Sequence, residues 1–106
     1  MPPRVEIEDI EDLRRRQGID DVELREAIRG LRVGDSVRLT FLTGRGTSAG
    51  ETLPVRITSI RDGAFRGRLA GGPSSAALSG LQVGALIAFT TAQIHSVRKG
   101  QRTYGQ

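Results

Sequence analysis

The chain has 106 residues, no cysteine, fifteen arginines against one lysine, and a formal net charge of +4. That length holds one modest core rather than two, and the lack of cysteine excludes a disulfide framework or a thiolate metal site, which suits a reducing, cytoplasmic setting. The opening MPPRVEIEDIEDL is acidic, and the longest aliphatic or aromatic run is ALIAF at 85–89, so neither a secretory signal nor a membrane-spanning helix is expected.

Charge is unevenly distributed. Residues 1–30 carry six Arg and nine acids, a net of −3, whereas residues 31–106 carry nine Arg, one Lys and three acids, a net of +7. An acidic segment can dock on a basic body, or leave that body open to a polyanion.

Residues 6–17 predict a helix: Glu6, Glu8 and Asp9 crowd its first turns, Arg14, Arg15 and Arg16 its last, and Gly18 follows as a stop. The alternative for its start is a short strand at Val5 and Ile7. A second helix is expected from Asp20, a capping carboxylate with Glu23 three residues on, to Gly30; Leu24, Ala27 and Ile28 share one side, and Leu31 folds back on it.

From residue 31 the period becomes alternating. VRLTF at 37–41 sets Val37, Leu39 and Phe41 on one face, with Arg38 and Thr40 on the other. The opening GLRVGDSVRLTF, from residue 30, returns as GLQVGALIAFTT from residue 80, placing Ile87 and Phe89 at the positions of Val37 and Leu39. The same tight turn is thus expected twice, each copy delivering an apolar residue, placing glycine where φ turns positive, and launching a strand. Between the copies lie the loop TGRGTSAGET (43–52), a strand at 53–60, a turn at Asp62-Gly63, a strand at 65–69 and the small-residue loop AGGPSSAALSG (70–80). Both loops are long enough to predict mobility. Ile94 and Val97 mark a last strand, and the tail frays. Five short strands predict a mainly β fold, a small closed or nearly closed SH3-like barrel over 31–99, preceded by the helical segment 1–30 and followed by the tail 100–106. Its expected core is Val37, Leu39, Phe41, Val55, Ile57, Phe65, Leu69, Ile87, Phe89 and Ile94.

The central hairpin can be given a register. A two-residue loop at Asp62-Gly63 puts Phe65 and Leu69 on the face of Ile60, Thr58 and Arg56, which mixes core with solvent. A three-residue loop, Arg61-Asp62-Gly63, pairs Val55 with Leu69, Ile57 with Gly67 and Ser59 with Phe65, making one face apolar. It also sets Arg56 across from Arg68 and Thr58 across from Arg66, and like charges opposite one another are unfavourable.

Chemistry-bearing motifs are few. TGRGTSAGET has glycines but not phosphate-loop spacing, and Glu51 stands where a lysine is needed. His95, the single histidine, reads as a surface or edge-strand residue without zinc partners. Asp35, Glu51 and Asp62 each suit a turn. No nucleophile, base and orienting group can be grouped, so neither an enzyme nor a cofactor is expected.

The spacing of Arg25 and Arg29, followed by Asp62, Ala64 and Gly67, resembles the cyclic-dinucleotide motif of the PilZ family, with alanine where that motif has serine. Arg25 and Arg29 also have helical i, i+4 spacing, and only 39 residues follow Gly67. A broader resemblance, over residues 50–97, is to small uncharacterised bacterial SH3-like domains. It is carried by Gly50-Glu51, the strand at 55–60, Asp62-Gly63, Phe65, Gly67, Leu69, Leu81, Gly84, Ile87, Phe89 and Ile94. It implies a fold and no activity.

Arg38, Arg56, Arg66 and Arg68 fall on the outward phase of three strands, as a face for phosphate contacts requires. They make nucleic acid or another polyanion the first expected partner, unless they only solubilise the sheet. Phe41, Phe65 and Phe89 fall on the core phase, leaving Tyr104 in the tail as the sole aromatic for base stacking. The second expectation is a protein-interaction or self-assembly module, a homo-oligomer included, in which the acidic helices meet the basic barrel.

Overall fold

The computed structural model describes residues 6–43 and 49–98. The alternation from residue 36 onward is realised as one antiparallel sheet of five strands, β1 (Ser36–Leu42), β2 (Gly50–Arg61), β3 (Ala64–Leu69), β4 (Leu86–Thr90) and β5 (Ser96–Arg98), in the order β4-β3-β2-β1-β5. Two short helices, α1 (Ile10–Arg16) and α2 (Val22–Arg29), precede it. The tail 100–106, with Tyr104, and the hairpin tip 44–48 lie outside the described residues.

The mainly β class is as expected, but the sheet does not close into a barrel. β4 and β5 stand at its two borders, because a 3₁₀ turn at Thr91–Gln93 carries the chain away from β4 and β5 pairs instead with β1, Val37 opposite Val97. Helices cover this side in place of hydrogen bonds: α1 packs on the 3₁₀ turn and α2 on β5. All ten residues expected in the core are buried. Leu31, Leu53, Leu78 and Leu81 join them, and Phe65 stacks on its cross-strand partner Phe89 with ring centroids 5.3 Å apart.

The first helix begins later than its charge pattern predicts. Glu6 to Glu8 are extended alongside β1, with Leu42 N–H donating to Glu6 O at 2.8 Å, Glu8 N–H donating to Thr40 O at 2.9 Å, and Ile7 bridged to Phe41. The strand alternative for the start therefore describes Ile7 better; Val5 lies outside the described residues. Asp9 caps the helix through Asp12 N–H, Ile10 is 2% exposed, and Gly18 at φ 74° ends it with Ile19 N–H donating to Arg14 O. In α2 the cap is Asp21, which accepts from Leu24 N–H, rather than Asp20, which pairs with Arg25.

The repeated sequence folds into two equivalent clips. Leu31 and Leu81 are buried, and Gly34 and Gly84 have φ of 100° and 92°. Asp35 N–H closes one turn on Arg32 O at 3.0 Å and Ala85 N–H the other on Gln82 O at 2.9 Å. Each glycine N–H then reaches the neighbouring strand, Gly34 donating to Ile57 O at 2.9 Å and Gly84 to Leu69 O at 2.7 Å.

The hairpin register combines both sequence expectations. Its loop has two residues, Asp62 at φ 49° and Gly63 at φ 80°, but the ladder shifts between Ile57 and Ser59. The bulge at Thr58 absorbs one residue, so Val55 pairs with Leu69, Arg56 with Arg68 and Ile57 with Gly67 as expected, while Ser59 faces Arg66 and Ile60 faces Phe65 near the turn. The expected pairs Thr58 with Arg66 and Ser59 with Phe65 are thereby corrected. The bulge lets Val55 and Ile57 keep the partners of the three-residue-loop register while Ile60, not Ser59, faces Phe65 beside the two-residue turn.

The loop at 70–80 is not the untethered segment expected. A 3₁₀ turn at Ala76–Leu78 buries Leu78, and the Glu51 carboxylate accepts from Ser74 N–H at 2.9 Å, Ser74 Oγ at 2.8 Å and Ser75 N–H at 3.0 Å.

Candidate functional site

The outward phase of the sheet can be followed row by row. The ladders align Arg98, Ser36, Arg56, Arg68 and Leu86 as successive cross-strand partners over all five strands. At about 4.8 Å per strand, Arg98 and Arg68 stand roughly 14 Å apart with Arg56 between them. Arg38 lies one outward position along β1 from Ser36, opposite Pro54 and Ser96; Arg66 lies one outward position along β3 from Arg68, opposite Ser59 and Ala88. The four arginines singled out in the sequence are thus exposed on one phase of one sheet. Sequence reasoning missed two members: Arg61, which it placed in the hairpin loop but which ends β2 opposite Ala64, and Arg98, which the alternation from Ile94 through Val97 marks as outward but which sits where the chain reads as the start of a frayed tail.

Arg56 and Arg68 are cross-strand neighbours, and Arg68 Nη1 donates to Gly84 O at 3.0 Å, toward β4 and away from Arg56. The second turn of the repeat therefore supplies an acceptor that relieves the like-charge contact. Arg38, Arg56, Arg66, Arg68 and Arg98 make no ion pair with another described residue, whereas six ion pairs lie within the helical segment. Asp12 takes Arg15 and Arg16, Asp21 takes Arg14 at 3.0 Å, Asp20 takes Arg25, and Glu26 takes Arg29 at 3.3 Å. Five acids of that segment, Glu11, Asp12, Asp20, Asp21 and Glu26, are thus engaged by its own arginines. Arg25 and Arg29, the PilZ-like pair, belong to these helical contacts.

His95 lies beside the site, half-buried, with its backbone N–H donating to Arg38 O at 2.9 Å. Burial foremost, then the guanidiniums of Arg14 and Arg38, push its pKa down, and Glu8 opposes them. Phe41, Phe65 and Phe89 are buried, so among the described residues no aromatic ring lies open on the arginine face. What the face offers a ligand is guanidinium and hydroxyl donors arranged across a rigid ladder, which suits anionic oxygens and leaves bases unread.

No protein family, curated protein or solved structure matches the chain. Among the described residues, no helix is long and apolar enough to cross a membrane.

Proposed function

We propose that this chain is a non-enzymatic binding module of the SH3-like kind, whose arginine face holds polyanions, nucleic acid foremost, by phosphate contacts without sequence readout. The observation that carries it is electrostatic: among the described residues, six exposed arginines on one sheet phase, Arg61 included, stand without ion pairs, while five acids of the helical segment are paired with its own arginines. The SH3-like assignment is supported by the strand order, in which a four-strand meander is followed by a 3₁₀ turn and a fifth strand that returns to the first.

The test is a salt titration of binding to mixed-sequence oligonucleotides. With roughly three or four phosphates engaged, log K falls with log salt at a slope of about −2 to −4, and duplex and single strand differ only through charge density. Arg56→Ala with Arg68→Ala flattens the slope and leaves the fold intact. No binding at low salt, or the same slope for both proteins, removes the site.

A further inference from the structure

Residues 69–97 contain no Asp, Glu, Lys or Arg, within a chain of net charge +4. The fold lays part of this uncharged stretch along one border of the sheet, where, among the described residues, β4 hydrogen-bonds to β3 and to no other strand. Leu69 N–H donates to Ala85 O at 2.9 Å, which sets the phase of that ladder. Inter-strand bonds of an antiparallel pair recur at alternate residues, so Ile87 and Phe89 turn their N–H and C=O toward β3, and Leu86 and Ala88 turn theirs outward. Thr90 keeps the same phase, its N–H donating to Gln93 Oε1 at 3.0 Å instead of to β3.

Border strands are ordinarily protected by a charge, a proline, a bulge or a covering element. β4 reads LIAFT, pairs residue for residue with β3 without a shift, and leaves Leu86 55% exposed. We propose that β4 pairs antiparallel with β4 of a second copy of this chain, about a two-fold axis at Ile87, joining two sheets into one of ten strands. In that register Leu86 of each copy faces Ala88 of the other, and both outward N–H and both outward C=O groups of each strand find partners. Centring the axis on Ala88 would call on the Thr90 N–H, which Gln93 already holds. A second copy is the fitting occupant because β4 itself carries no charge to repel its own copy, and a strand paired about a two-fold axis is its own complement.

Sedimentation velocity of the full chain, from micromolar to several hundred micromolar, reads the outcome. Wild type moves toward the mass of two chains as concentration rises. Ala88→Pro deletes an outward N–H without touching the β3 ladder, and Leu86→Lys places a charge on each side of the axis; both lose the dimer and keep the far-ultraviolet circular dichroism of wild type. Should Ala88→Pro not fold, Leu86→Lys at its exposed position decides alone. A wild type that stays monomeric throughout, a dimer that survives Leu86→Lys, or an assembly larger than two chains overturns the proposal. Neither variant alters an arginine, so salt-dependent anion binding by the monomer is read separately.

Discussion

Single residues in this chain do work that their type alone does not reveal. Glu51 stands where a phosphate loop would need lysine, and its carboxylate instead ties the loop at 70–80 through Ser74 and Ser75. Those hydrogen bonds, the Ser74 N–H first, hold its pKa below the ordinary glutamate value. The unfolded chain therefore takes up the proton at higher pH, so the tether is whole above the unfolded pKa of about 4.3 and is lost as pH falls through the lower folded value. The protection of the Ser74 and Ser75 amides, relative to intrinsic exchange at the same pH, should fall on acidification, and Glu51→Gln should lower it already at neutral pH; unchanged protection in that variant would show the tether to be idle. His95 follows the same sign, its folded pKa being depressed: the neutral ring is favoured above the unfolded value of about 6.5, and that contribution is lost as pH falls through the folded one. Its NMR titration midpoint is expected below that of an unfolded peptide, and Arg14→Ala should move it upward. Gly67 is constrained differently. A Cβ there would lie 2.5 Å from Arg56 O and 2.6 Å from Val55 Cγ1. Gly67→Ala is expected to cost about 1–3 kcal/mol in denaturant titration, whereas Gly72→Ala, where the nearest atom would be 3.5 Å away, serves as a tolerated control.

At the level of elements, the repeated Gly-Leu-x-Val-Gly yields the same clip twice, and a matched pair of substitutions can test it. Gly34 and Gly84 both have open space where a Cβ would go, so only the left-handed backbone penalises a side chain. Gly34→Ala and Gly84→Ala should each cost about 1–2 kcal/mol, and widely different losses would show that the two turns are alike in sequence only. Alternation sufficed to locate the core face, because a residue out of phase on β1, β2 or β3 would bury an arginine: Val55 and Ile57 flank Arg56, and Leu69 follows Arg68. It did not locate the bulge at Thr58, since a one-residue slip absorbed inside a strand leaves both ends correctly phased. The start of the first helix was equally opaque, because Glu6 and Glu8 favour a helix N-terminus while the hydrogen bonds that hold them extended come from β1, more than thirty residues away in sequence. The arginine face was legible from the same alternation. Whether the acidic helices covered it was not, since that depended on which arginine each carboxylate met. Phe65→Ala or Phe89→Ala removes half of the stacked pair and should lower stability by about 3–5 kcal/mol.

Taken as a whole, the described residues make their ion pairs within the helical segment and none between that segment and the sheet. The helical segment contributes to the fold through apolar contact, with Ile10 buried and Leu24 and Ile28 packed against the core. Ile10→Ala should therefore cost about 2–5 kcal/mol while leaving the salt slope of anion binding unchanged, a combination that calorimetry and a binding titration on the same sample can check. The twelve-residue β2 joins the two halves of the sheet. Its first part pairs with β1 and its second with β3, and Val55, Arg56 and Ile57 form the overlap, held on one side by β1 or its turn and on the other by β3. Such a segment cannot open without parting both neighbours, so solvent should reach its amides only when the entire sheet comes apart. The tempo at which deuterium enters positions 55–57 is then a clock for global unfolding, and the rows of arginine beside it ride on the slowest-exchanging part of the chain.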